Sequence, residues 1–248
     1  VGVDYTVGEW MHVAWVHTGN TLYLYKNGVL ATSTASGDTN DLSSNAPIVI
    51  GSGWSGASAE RFWEGAIDDV RTYNRALSAE EISRLYGLGA TTHIAQTITS
   101  NPTLEDGLTG HWTFDGPDMQ GATSTDVSEN GRDGLLQNGA KLAAGRIGQG
   151  VYGDGVGDVI FGDRVFVDSA LSNFVTQNTG TVAMWIKPEG VSDTAGVVYN
   201  LDAYFSDSNQ GYMGIHRGSV GGGDDLLWVY NWDIDIDAVS MPYEIGEW

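Results

Sequence analysis

Five residues between positions 115 and 133 have the right chemistry to hold a cation. Asp115, Asp118, Asp126 and Asp133 stand with Asn130 among glycines, serines and threonines. Hard carboxylate and amide oxygens on a flexible loop suit Ca²⁺. The D-x-D-x-D-G spacing and closing Glu of an EF-hand are missing. The alternative is a solvated turn cluster, since Asp, Asn and Gly are the ordinary turn residues. A second acidic group, Asp233, Asp235 and Asp237, alternates along one strand face with Ile234 and Ile236 opposite. Retaining glycoside hydrolysis uses two carboxylates roughly 5–5.5 Å apart. A solvated, edge-protecting strand face is the better reading of these three. The five histidines (His12, His17, His93, His111, His216) show no metal spacing, and His12 and His111 read as packed or hydrogen-bonded. Trp54, Trp63, Trp228 and Trp232 could stack on sugar rings if exposed, although aromatics in a sandwich are usually core.

Composition bounds the elements that must position these groups. The chain has 248 residues, no cysteine, and 32 acids against 11 bases, a formal charge of -21. Such a charge argues against nucleic acid or an anionic membrane as partner and favours bound cations. Without cysteine there is neither a disulfide framework nor a thiolate metal site. Abundant Gly (35), Trp (9) and Tyr (11), with charged residues at 17%, point to an all-β sandwich. No stretch approaches the roughly 18 apolar residues that span a bilayer.

Period-2 alternation then places strands. Met11, Val13 and Trp15 share one face, and His12, Ala14 and Val16 the other. Val182, Met184 and Ile186 alternate in the same way against Ala183, Trp185 and Lys187. Asn27-Gly28 is a two-residue hairpin signal between Thr21–Tyr25 and Val29–Thr34. Ala66 to Tyr73 reads as a strand with Ile67 and Asp69 on one face and Asp68 and Val70 on the other. Acids in mid-strand are unusual, so something local must want them. Asp69 is expected to face solvent. Ser78 and Glu81 have capping-box spacing before a short helix near 78–86, whose apolar face is Ile82, Leu85 and Tyr86 and which Gly87 is placed to stop. Residues 87–106, Thr-rich and without periodicity, read as a linker.

Several runs resemble one family. IDDVRTYNRALSAEEI (67–82) resembles the closing signature of the laminin-G-like jelly rolls of the concanavalin A-like lectin/glucanase superfamily. GEWMHVAW, LYLYKNGV and PIVIGSG resemble the second half of that sandwich. HWTFDG, DVSENGRDGLL, GQGVYGDGVGDVIFGD and TVAMWIKP resemble its first half. The resemblance implies an antiparallel two-sheet jelly-roll β-sandwich with its halves in offset order. Residues 1–86 look like the C-terminal half, 87–106 the linker, and 107–248 the N-terminal half. It also implies a structural Ca²⁺ between first and last strands, with Asp68 and Asp115 there and backbone carbonyls near Gly116 or Gly134.

The two ends share a motif. Residues 5–10 read YTVGEW and residues 243–248 read YEIGEW. A tandem array cut in mid-domain is the simplest account. The halves then close within one chain or complete a neighbouring copy or repeat, because half a sandwich leaves open strand edges. The expected function is a non-catalytic module of a repetitive surface protein or fibre, extracellular or at the cell surface of a prokaryote. Its work is adhesion or assembly, its cofactor structural calcium, and its partners copies of itself or glycans. A carbohydrate-binding appendage of a secreted hydrolase is the alternative, and a glucanase the remote one.

Overall fold

The computed structural model describes residues 2–35, 48–53, 61–90, 102–155, 157–158, 161–167, 179–189, 196–201, 212–217 and 226–232. Among these, two antiparallel sheets make up a β-sandwich. One sheet runs in the order Gly2–Asp4, Leu226–Trp232, Tyr212–Arg217, Gly196–Leu201, Ile48–Ile50, Arg164–Val167, Gly134–Gln137, Thr123–Ser124, Met119–Gln120. The other runs Lys141–Ala144, Gln149–Asp154, Glu64–Tyr73, Thr179–Pro188, Met11–Thr18, Thr21–Lys26, Val29–Ala35, and Leu108–Trp112 also pairs with Glu64–Tyr73. Strands from before residue 86 and after residue 107 are therefore interleaved in both sheets. Met11–Thr18 and Glu64–Tyr73 flank Thr179–Pro188, and Ile48–Ile50 lies between Arg164–Val167 and Gly196–Leu201.

Alternation explains the layers. Met11, Val13, Trp15, Val182, Met184 and Ile186 point into the core between the sheets, together with Ile50, Trp63, Trp112 and Val165. Ala14, Val16 and Ala183 point the other way, into a second apolar cluster with Tyr73, Leu77, Ile82 and Leu85. Helix α1 (Ala79–Ala90) covers that outer face and buries Ile82 and Leu85. Its capping box is formed: the Ser78 N–H donates to Glu81 Oε2 at 2.9 Å and the Glu81 N–H to Ser78 Oγ at 3.2 Å. Asn27 and Gly28, at φ 50° and 80°, make the hairpin turn that their sequence signals.

Two local expectations are corrected. Helix α1 runs through Gly87 to Ala90, into the stretch read as linker, and a short helix α2 (Pro102–Glu105) follows within it. Beyond Gly87 the helix packs Gly89 against the Trp185 ring, so closely that any Cβ there would strike it. Strand Glu64–Tyr73 also breaks strict alternation. Its register with Thr179–Pro188 shifts between Ala183 and Trp185, and Asp69 takes a left-handed φ of 49°. This β-bulge lets Ile67 and Val70 both reach the core.

Candidate functional site

The bulge puts Asp68 and Asp69 in opposite circumstances. Asp69 is buried, 8% exposed, and does not face solvent as expected. It accepts from Arg71 Nη2 at 3.1 Å and Nε at 3.3 Å, and its Oδ1 lies 2.6 Å from His111 Nε2. Burial alone would push its carboxyl up, but Arg71 and His111 together hold it well below the usual range. Asp68, with no exposed surface, has no cationic partner among the described residues. Its Oδ2 accepts the Ile147 N–H at 2.7 Å, and its Oδ1 is buried without a hydrogen-bond partner among the described residues. Burial pushes this carboxyl up to about 8, against the pull of neighbouring backbone amides, chiefly Ile147.

Asp115 comes to the same place from the bend after strand Leu108–Trp112. Its Oδ1 accepts the Gln149 N–H at 2.7 Å, and burial raises its carboxyl too. The last long strand of one half and the first strand of the other thus each lend a carboxylate to one turn, residues 145–149. Gly148 makes that grip possible, because at φ +60° any Cβ would strike Asp115 Oδ1. Arg146, in the same turn, points the other way. Its Nε donates to Gly89 O at 2.6 Å and its Nη2 to Ala90 O at 3.1 Å, and its guanidinium lies 4.9 Å from the Trp185 ring centre. It therefore satisfies carbonyls at the end of α1 that the helix itself leaves open.

Asp126, Asn130 and Asp133 stand in a different turn and already have partners. Asp126 accepts three backbone N–H groups, from His111 (2.9 Å), Ser128 (3.0 Å) and Arg132 (3.0 Å). Asp133 Oδ1 accepts the Asp126 N–H at 2.9 Å. Asn130 Nδ2 donates to Leu108 O and to Ser128. Gly134 is packed against Val165. Of the six expected ligands (Asp68, Asp115, Asp118, Asp126, Asn130 and Asp133), Asp68 and Asp115 both hold the 145–149 turn. Among the described residues no three His, Cys, Asp or Glu side chains could hold a metal as a group. A Ca²⁺ at the 145–149 turn would therefore complete its shell with backbone carbonyls and water. Asp68 Oδ1, a buried oxygen lacking a partner, fits that ion.

The other sequence candidates divide as follows. Trp63 is 1% exposed in the main core, which removes it as a sugar-stacking surface. Trp228 and Trp232 lie on strand Leu226–Trp232, with side chains outside the described residues. Trp54, Asp233, Asp235 and Asp237 also fall outside. Sequence reading missed Arg146 and the Asp69–Arg71–His111 group. The clue to the first was the glycine spacing of GRIGQG around the turn.

The architecture is a β-sandwich of concanavalin A-like type. Residues 1–83, about a third of the 248, match the family model described as the concanavalin A-like lectin/glucanases superfamily, in its laminin-G form. That segment is similar to the laminin-G-like members of the superfamily. No match was found among the curated proteins or the solved structures. The superfamily's description names both lectins and glucanases, so this similarity does not separate binding from catalysis.

Proposed function

We propose that this laminin-G-like module is non-catalytic and works outside the cell in adhesion or assembly, with Ca²⁺ as a structural ion at the 145–149 turn. The observation that carries this reading is Asp68 Oδ1, a buried oxygen without a partner among the described residues, beside a turn that Asp115 also holds. An ion there ties strand Glu64–Tyr73 to the bend after strand Leu108–Trp112. Its role is to stiffen a joint between segments distant in sequence, which suits a module that bears load or joins copies. No helix of the described residues is long and apolar enough to cross a membrane. With Trp63 in the core, the carbohydrate-binding alternative depends on Trp54, Trp228 and Trp232. Sedimentation of the chain in millimolar Ca²⁺ and then in chelator tests the assembly reading. Oligomers that loosen on chelation support it, and a compact monomer unchanged by either condition counts against it.

A further inference from the structure

The repeated end motif has a structural explanation in the segment that carries its first copy. Tyr5 packs, partly buried, against the main core. Gly8 takes a left-handed φ of 81°, and its N–H donates to Pro188 O at 2.7 Å. Trp10 is half-buried where strand Met11–Thr18 begins, whereas Thr6 and Val7 are exposed. In the second copy Tyr243, Gly246 and Trp248 repeat the three positions on which the seat makes demands. The two exposed positions are the ones that differ, as Glu244 and Ile245. The match of Glu9 with Glu247 has no such account.

Gly8 has no neighbouring atom within 4 Å of a built Cβ. Its requirement is therefore conformational and not a matter of space, and a side chain there would strain the turn. Reach also permits the exchange. Gly2–Asp4 pairs antiparallel with Leu226–Trp228, so residues 5–10 leave from the Leu226 end of strand Leu226–Trp232. Tyr243 lies 11 residues beyond Trp232 (243 − 232), and 11 residues span up to roughly 36 Å. Returning from Trp232 to the level of Leu226 needs roughly 20 Å.

We propose that the seat holding residues 5–10, made by the Pro188 carbonyl and the core beside Tyr5, also takes residues 243–248 of the same chain, and that the two segments compete for it. A displaced 5–10 segment fits the seat of a second copy, so the competition gives copies of this chain a way to link. This deepens the assembly reading above and is independent of its calcium component.

The chain has no cysteine, which allows a clean crosslinking test. Glu189→Cys with Val7→Cys, bridged by a short bismaleimide, reports the first occupant. Glu189→Cys with Ile245→Cys reports the second. The expected result is a crosslinked monomer for both pairs. In the second pair Gly246→Val should cut the yield several-fold and Gly8→Val should raise it, since each strains one competitor. No crosslink in the second pair, or a yield indifferent to Gly246→Val, overturns the shared seat. Crosslinks only between chains overturn occupancy by the chain's own tail. Crosslinking that persists where Ca²⁺ fails to bind would sink the calcium reading alone, and Ca²⁺ binding without crosslinking would sink the seat alone.

Discussion

Two acidic turns lie on the same sandwich and look alike in sequence, yet their oxygens are used differently. In the 126–133 turn the carboxylates are committed to backbone amides, three of them on Asp126. In the 145–149 turn Asp68 spends one oxygen on Ile147 and leaves the other buried and, among the described residues, unmatched. The first turn is a structural latch that spends most of the acceptor capacity of Asp126 on its own backbone. The second has capacity left for a cation. What separates a site from a turn is therefore the number of free lone pairs, not the number of acids, because each backbone N–H accepted is one coordination position spent.

The sharpest break between the two turns is removal of the latch. Asp126→Ala should cost on the order of 3 kcal/mol, because three part-buried backbone donors lose a charged acceptor at once. Urea denaturation should show that loss equally with Ca²⁺ and with chelator. Gly148→Ala comes next. Left-handed backbone and a collision with Asp115 should cost about 2 kcal/mol and weaken Ca²⁺-dependent stabilisation as well.

A third prediction uses pH in the absence of Ca²⁺. The Asp68 carboxyl is raised to about 8 in the fold from roughly 4 when unfolded. The folded state therefore holds the extra proton, and stability falls as pH rises between those values, by at most about 1.4 kcal/mol per unit. Burial lowers His12 to about 4 from roughly 6.5, so its contribution rises with pH across that range and opposes Asp68. Asp69 is held low and loses its contribution only as pH falls below roughly 4. Between about 6.5 and 8 the slope of these three belongs to Asp68, and Asp68→Asn should flatten it in a series of thermal melts. The smallest effect expected is that of Arg146→Ala, about 1 kcal/mol, read best as faster amide exchange at the end of α1.

Part of this was legible in the sequence. Alternation at Met11–Trp15 and Val182–Ile186, the Asn27-Gly28 hairpin and the Ser78–Glu81 capping box are local patterns, and local physics sets them. The bulge at Asp69 is not local. It answers a register shift against Thr179–Pro188, more than a hundred residues away in the chain, and it moves Asp69 from the expected solvent face into an ion pair with Arg71. The continuation of α1 past Gly87 likewise depends on Trp185 and Arg146, which no helical window contains. The candidate site was half legible. Acids and glycines mark both turns, but which oxygens the backbone amides consume is decided by tertiary contact.

The most direct test of the calcium account is calorimetric titration of Ca²⁺ into the native chain, Asp68→Asn and Asp133→Asn at pH 7.5. The account predicts one saturable site in the native chain, loss of that site in Asp68→Asn, and a site retained in Asp133→Asn. Binding that survives Asp68→Asn but vanishes with Asp133→Asn would move the ion to the other turn and contradict the account, as would no binding to the native chain.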